Sequence, residues 1–489
     1  MTKVMLVYTN SFMDNLIPMG VSLLSACLKR GGHEVDIFDT TFYKTKDKTG
    51  DESRYEALQI KKTNLEDYGI TEEKGDMVED FHREIGKFKP DLMGFSVVEP
   101  TYHIALKLLK SIKDSGIPTI VGGIHATMGL EDVLREDAVE MICVGEGERA
   151  IVNLADRIQN KEDYSNIQNI WVKKGGIIVR NPLGPLADLD SLPDQDWSIH
   201  DKKRFYKPMG GKVWISGPIE LARGCPHHCA FCCNDQLQAH YKNIGRYPRQ
   251  RSVDNFMNEL KDKKEKFGLQ YLYLLAENFL QMSDERFSHF IAGYRDIRLP
   301  FWIETRPETV ILERIKQLKE VGCEGISIGV EHGNNQFRRK MLNRHTSNTK
   351  IIEAFRLAKQ AGIRTSANNI LGFPEETREL AFETINLNRE FQPDNAITNI
   401  FAAHRGAKLW NYCVEKGYIS RDAIAGDYRS DTGLNMPQFS KDEIRGLHRT
   451  FSLYVRLPKE MWPDIRIAER FDEEGNRMFE KLSKIYRGE

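Results

Sequence analysis

No stretch of this 489-residue chain approaches the ~18 to 20 apolar residues that a membrane-spanning helix needs. Charge of either sign in excess is also missing: 70 Lys and Arg meet 71 Asp and Glu for a net charge of -1, so nothing global points to nucleic acid or an anionic membrane as partner. Met1-Thr2-Lys3 leads straight into a strand-like segment without the apolar core of a signal peptide, and the expected location is cytoplasmic. Low-complexity tracts and regular repeats are absent. Cysteine is sparse, and four of the eight, Cys27, Cys143, Cys323 and Cys413, stand singly in apolar or amphipathic runs, where a thiol acts as a small hydrophobe. The length exceeds what one core supports and implies two or three domains.

The remaining cysteines fall in one run, Cys225-Pro-His-His-Cys229-Ala-Phe231-Cys232-Cys233. Cys225, Cys229 and Cys232 have the spacing C-x3-C-x2-C, with aromatic Phe231 directly before the last. Three thiolates on one short loop can hold three irons of a four-iron, four-sulfur cube and leave the fourth iron open. Zinc could use such donors, but structural zinc sites usually draw paired ligands from two separated knuckles, and no second C-x2-C or H-x3-H partner exists elsewhere. An iron-sulfur cluster is the expected occupant, in a reduced compartment that suits an oxygen-sensitive group. Cys233 is a spare thiol of open role.

Before this loop, Lys3 to Tyr8, Glu34 to Phe38, Pro90 to Ser96, Pro118 to Gly123 and Val139 to Gly145 read as short apolar strands, each followed by a polar or helical stretch. That alternation predicts a doubly wound parallel sheet, whose ligands bind at the carboxyl ends of the strands. Ser96, the turn Gly122-Gly123-Ile124-His125 and the run Gly145-Glu146-Gly147-Glu148 fall at those ends. Glycines there allow close backbone approach to a bulky ligand and offer N-H donors. Residues 41 to 89 form a charge-rich insertion read as a solvated face. A hairpin is expected at Asn169 to Arg180 around Gly175-Gly176, with extended, proline-marked chain after it.

After the loop the alternation resumes. Strands are expected at Glu220 to Arg223, Tyr271 to Leu275, Phe301 to Glu304, Gly325 to Gly329, Thr365 to Leu371 and Asn395 to Phe401. Six strands suit a partial (β/α) barrel with its chemistry at the strand ends, where Glu277-Asn278, Glu304-Thr305-Arg306, Glu331 and Gly372-Phe373-Pro374 lie. Lys441 to Arg456 and Ile465 to Tyr486 read as helices, with Trp462 and Phe471 packing them.

The run Ala222-Arg223-Gly224-Cys225 through Cys232 resembles the cluster loop of the radical S-adenosylmethionine (SAM) enzymes. Over roughly residues 3 to 410 the chain resembles the branch with an N-terminal cobalamin-binding domain. The fold this resemblance implies is α/β: a cobalamin-binding domain over residues 1-165, a hairpin and linker over 166-205, a partial (β/α)6 radical SAM barrel over 206-405 and a helical C-terminal domain over 406-489. Implied cofactors are a 4Fe-4S cluster on Cys225, Cys229 and Cys232, SAM, and cobalamin. SAM contacts would come from Phe231 beside the adenine, Glu277 on the ammonium with Asn278 next to it, Glu304, Arg306 on the carboxylate through its planar fork, Glu331 on the ribose, and Gly372, which lets adenine pack. An ordinary ion pair with Glu304 is an equal reading of Arg306. Cobalamin would lie against Ser96, Val98, Glu99, Gly122, Gly123, His125, Gly145, Glu146 and Gly147.

Two departures from the family pattern matter. Many cobalamin domains carry Asp-x-His-x-x-Gly after the first strand, but Thr9 to Leu16 contains no histidine, so the lower face of the cobalt is expected to lack that ligand, with Val97, Val98, Glu99 and Pro100 as its neighbours. Ala403-His404-Arg405-Gly406 replaces a Pro-Gly-Thr type turn; His404 and Arg405 could grip an anion or cap a turn. The implied activity is methyl transfer to an unactivated carbon, or to the phosphorus of a phosphinate, on a small molecule or peptide, with an external electron donor. The alternative is oxidative cyclisation or ring contraction without methyl transfer.

Overall fold

The computed structural model describes residues 1-489. They divide into two compact units: Met1-Gly50, Asn64-Lys207 and Gln238-Arg249 form the first, and Asp51-Thr63, Pro208-Leu237 and Gln250-Glu489 form the second.

The first unit is built on strands β1 (Lys3-Tyr8), β2 (Glu34-Asp39), β3 (Leu92-Ser96), β4 (Thr119-Gly122), β5 (Met141-Cys143), β6 (Ile170-Lys174) and β7 (Ile177-Arg180), in the sheet order β2-β1-β3-β4-β5-β6-β7. The first five pair in parallel, Val7 opposite Phe95 and Phe95 opposite Val121. Val4, Met5, Leu6 and Val7 are all buried, as a strand covered on both faces requires. Two apolar cores flank the sheet, one around Phe81, Phe95 and Leu108, the other around Leu28, Ile120 and Leu154. Chain order reverses between β1 and β3, the switch point at which such sheets open a crevice. The hairpin around Gly175-Gly176 forms as expected, but β6 runs antiparallel to β5 and extends the sheet. It is part of the first unit, not a linker.

The second unit carries β8 (Tyr206-Met209), β9 (Lys212-Glu220), the two-residue strands β10 (Ala222-Arg223) and β11 (Arg249-Gln250), then β12 (Tyr271-Leu275), β13 (Phe301-Thr305), β14 (Cys323-Glu331), β15 (Arg364-Leu371) and β16 (Asn395-Ile400). Six of these, β9 and β12 to β16, are parallel neighbours in chain order and make the half-barrel. The first barrel strand is therefore Lys212-Glu220, upstream of the expected Glu220 to Arg223, because it accommodates Gly217-Pro218 within a paired stretch.

The open edge of β16 is covered by two segments. His448, on the helix Lys441-Arg456, lies 3.1 Å from the carbonyl oxygen of Thr398 through Nε2, and Gln59 Nε2 donates to the same oxygen at 2.9 Å. Residues 51-63 thus belong to the barrel unit, with Leu58 and Gln59 buried, which corrects the reading of the whole 41-89 insertion as a solvated face. The C-terminal helices share one core with the barrel, in which Leu371, Ile400, Phe451, Ile465 and Leu482 join, so they are not a separate domain. The helix expected from Ile465 to Tyr486 is two, Trp462-Ala468 and Glu473-Arg487, the second capped by Asp472 accepting from Gly475 N.

Candidate functional site

The cysteine run leaves the carboxyl end of β9 through Gly224, whose φ of +85° favours glycine, and its amide donates to Glu277 Oε1 at 2.9 Å. Hydrogen bonds hold the loop on several sides. Ala230 N donates to Leu342 O and Ala230 O accepts from Leu409 N, both at 3.0 Å. Asn343 Nδ2 donates to His228 O at 2.7 Å, and His228 Nδ1 lies 2.6 Å from Asp235, itself paired with Lys408 at 2.9 Å. Asn234 takes the Cys225 amide proton on Oδ1 and points Nδ2 at Cys232 Sγ, 3.6 Å away. Cys229 is buried, Cys225 and Cys232 are half-buried, and all three are free thiols.

The donor set fits a cluster. Arg306 Nη1 points at Cys229 Sγ from 3.3 Å, a fixed positive charge beside a group that must become a thiolate. Burial, with the Glu277 carboxylate and the neighbouring thiols adding to it, pushes the Cys225 thiol up to about 11, so iron must supply the stabilisation of its anion. The hydrogen bond shared with Cys233 lowers Cys232 and raises Cys233. No three His, Cys, Asp or Glu side chains of the chain are gathered as a lone metal ion requires; a cube gives each thiolate its own iron and needs no such convergence.

Around this loop the barrel strand ends bring together part of the expected SAM set. Glu277 is exposed and uses only Oε1, on Gly224. Arg306 is 8 % exposed and its Nε donates to Glu308 at 2.5 Å; the expected partner Glu304 is not its partner. Glu331 has a φ of +65°, uncommon for a residue with a side chain, at a register shift of β14, and Arg344 holds its carboxylate at 3.4 Å while donating to Gly329 O. Burial raises the Glu331 carboxyl above its ordinary range, with the Arg344 charge opposing that rise. Phe231 lies 5.8 Å from the Phe373 ring, next to Gly372, whose φ of +81° admits few other residues.

Two calls are redirected. Asn278 Oδ1 accepts from Thr305 Oγ1, Thr309 Oγ1 and Arg306 N, and one amide N-H donates to Gln281, so this side chain builds the turn. Glu304 accepts from Tyr273 O-H at 2.6 Å, which fixes it in a side-chain pair between neighbouring strands. At the second departure, Arg405 is 7 % exposed and donates to Ala423 O and Arg421 O, which caps the turn.

Residues that the sequence did not single out complete the arrangement. Glu308 pairs with Arg306 and accepts from Thr346, Arg344 orients Glu331, and Glu376 accepts from Gly372 N and Phe373 N. His332, fully buried 3.1 Å from Glu376, accepts from Asn334 N on Nδ1 and therefore carries its proton on Nε2, toward the carboxylate.

In the first unit the strand ends offer mainly backbone. Gly123 has φ +100°, and a Cβ there would sit 2.5 Å from Val97 O; at Gly145, φ +81°, it would sit 2.0 Å from the Tyr241 hydroxyl. Gly122 and Gly147 close the same turns. Ser96 is half-buried and Val98 is exposed. Three expected contacts are engaged within the fold. His125 is buried with its ring 4.6 Å from that of Tyr102. Glu99 is 5 % exposed. Glu146 pairs with Arg249, accepts from Ala187 N, and its amide donates to Tyr241 Oη.

Comparison with known proteins gives these two sites their family. Residues 219-387 match the Radical SAM superfamily and residues 55-155 the B12 binding domain. An uncharacterized methyltransferase of Pyrococcus horikoshii is 25 % identical over 420 residues, 83 % of this chain and 87 % of that protein. An anaerobic magnesium-protoporphyrin IX monomethyl ester cyclase of Rubrivivax gelatinosus is 30 % identical over 335 residues, 66 % of this chain but only 58 % of the cyclase. Among solved structures, the cobalamin-dependent S-adenosylmethionine radical enzyme OxsB, with aqua-cobalamin and S-adenosylmethionine bound, superimposes with a TM-score of 0.68 over 99 % of this chain and 71 % of its own, at 15 % identity. The chain belongs to the cobalamin-dependent radical SAM enzymes. Its cofactors are accordingly a 4Fe-4S cluster, SAM and cobalamin. No helix is long and apolar enough to cross a membrane.

Proposed function

We propose that this enzyme moves a methyl group from cobalamin to a carbon, or to the phosphorus of a phosphinate, of a small-molecule or peptide substrate, using an external electron donor in a reduced compartment. The observation that carries this reading is likeness to an uncharacterized methyltransferase over 83 % of this chain and 87 % of that protein, whereas likeness to the cyclase covers 58 % of that protein. When bound, the cluster and SAM together supply a hydrogen-abstracting radical and cobalamin supplies the methyl group.

The protein's own part is holding and excluding. Cys225, Cys229 and Cys232 would ligate the cluster, and Arg306 would balance the charge of Cys229 while its remaining N-H groups reach a carboxylate. Glu277, with one oxygen anchored on Gly224, would accept from an ammonium. Phe231 and Phe373, tilted 55° to each other, and Gly372 would give adenine an apolar surface, with Glu376 accepting from Gly372 N and Phe373 N. Glu331, turned by Arg344, would accept from ribose hydroxyls.

The test needs no substrate. Holoenzyme carrying reduced cobalamin is incubated with methyl-deuterated SAM, quenched and extracted. Methyl transfer requires the label to be recovered with the corrin; the cyclase reading, favoured by the Rubrivivax relative, requires an unlabelled corrin.

A further inference from the structure

A half-barrel has an open side, and in the second unit residues 51-63 lie along it. Leu58 packs in the core that holds Ile400, and Gln59 caps Thr398 O on β16. Lys61 reaches the turn before β9, where a Cβ on Gly211 would sit 3.1 Å from its Cδ. The segment thus spans the opening from β16 to the start of β9.

Arg54, half-buried on the short helix Gly50-Glu56 of this segment, is located by the groups that feel its charge. Burial raises Tyr273 on β12 well above its ordinary value and pushes His448, beside β16, down to about 4; the Arg54 guanidinium acts on both as a nearby positive charge. Three strands separate β12 from β16 in the sheet, so one charge near both lies in the concave space the sheet encloses.

The side chains facing that space are polar. Leu272 and Leu274 are fully buried on one face of β12, and Tyr273 between them turns to the other, donating to Glu304 at 2.6 Å. On β15, Asn369 bonds Asn388 of the covering helix Arg378-Phe391, which turns Asn368 inward. On β16, Ala396 and Ile400 join the outer core, which turns Asn399 inward. The guanidinium has no anion. Arg54 Nε and Asn399 Oδ1 are both buried without a hydrogen-bond partner, and no salt bridge holds Arg54. The carboxylates nearest to these groups are engaged, Glu304 by Tyr273 and Asp427 by Arg429 N. Withdrawing a guanidinium from water without a counter-charge is costly, and its planar fork matches a carboxylate or phosphoryl group through parallel N-H donors.

We propose that Arg54 grips a carboxylate or phosphoryl group of the substrate inside the half-barrel, with Asn368 and Asn399 as neutral polar contacts in the same space. The segment that closes the open side then also selects an organic anion, and a wholly apolar substrate is excluded. The inference rests on the reading above of a small-molecule or peptide substrate and names its chemical class.

The test is calorimetric binding of three phenyl probes, benzoate, phenylphosphonate and neutral benzamide, to the full chain loaded with cluster and cobalamin. SAM is present at saturation, which occupies Arg306, and reductant is omitted. The wild type is expected to bind at least one anion ~10-fold or more tighter than benzamide, and the two anionic arms separate a carboxylate from a phosphoryl group. Arg54→Gln should bring that anion to the benzamide level with benzamide binding and thermal melting unchanged, and Arg54→Lys should keep part of the preference. A wild type without anion preference would overturn the inference, as would a preference that survives Arg54→Gln. Loss of benzamide binding together with the anions in Arg54→Gln would make Arg54 a structural prop and overturn it too. The methyl-deuterium experiment is independent: an unlabelled corrin beside Arg54-dependent anion binding refutes methyl transfer alone, and a labelled corrin without anion preference refutes this inference alone.

Discussion

At the strand ends of the first unit the chain presents backbone and one apolar side chain: Gly122, Gly123, Gly145, Gly147 and Val98. At the strand ends of the barrel it presents charge: Glu277, Arg306, Glu308, Glu331 and Arg344, each carboxylate or guanidinium held by a neighbour. The proposed ligand sites would account for the contrast. A corrin is broad, carries neutral amides on its rim and needs room, which glycines give at the closest approaches. SAM is small and zwitterionic, and its ammonium and carboxylate call for opposite charges at fixed positions. Parallel sheets place both kinds of group at the same end, so the difference resides in the loops.

The sharpest way to break the comparison is to remove one cluster ligand. Cys229→Ala should abolish SAM cleavage and lower bound iron and sulfide by at least ~10-fold, while corrin retention, measured by absorption, stays at the wild-type level. Loss of the corrin as well would show that the two sites are not separately built. The converse change is Gly123→Val, where a Cβ would meet Val97 O at 2.5 Å and the backbone has φ +100°. Chemical denaturation should register a loss of about 3 kcal/mol or more in the first unit, and corrin retention should fall with iron content unchanged.

Acid should weaken both units alike. His200, 2.7 Å from Ser22 Oγ, and His448, at Thr398 O, are buried and pushed down to about 4 from 6.5. In the unfolded chain they take up protons near 6.5 but in the fold only near 4, so each contributes stability that is complete above pH 6.5 and lost as pH falls through 4. That is up to about 3 kcal/mol per residue. Thermal melts between pH 7 and 4 should show the decline, and His200→Gln or His448→Gln should flatten part of it. A stability independent of pH over this range would contradict the burial argument. A smaller effect is expected from Arg306→Lys, which keeps the charge but loses the planar fork between Glu308 and Cys229: KM for SAM should rise by about 10-fold. Smallest are the helix caps Asp76→Ala in the first unit and Ser440→Ala in the second, at about 1 kcal/mol each by denaturation.

Much of this contrast can be read before folding, because it depends on local pattern. Tyr271 to Leu275 and Lys441 to Arg456 form where the apolar periodicity places them, and the thiol spacing of the cluster loop is a property of nine consecutive residues. What escapes is long-range. Gln59 lies 339 positions from the carbonyl it caps, and its segment looks like solvated insertion until β16 is there to be covered. Glu308, Arg344 and Glu376 gain their roles only from partners that folding brings to them. Asn278, His125 and Glu146 stood at the right strand ends but are engaged within the fold, since a polar side chain near a ligand site often serves to build the turn that forms it.

The most direct measurement is the electron paramagnetic resonance spectrum of the reduced cluster in anaerobically reconstituted protein, recorded before and after addition of SAM. Three thiolates leaving one iron open predict a spectrum with altered g-values once SAM binds that iron, and the absence of such a spectrum in Cys229→Ala. An intact four-iron signal that SAM leaves unchanged would contradict the account.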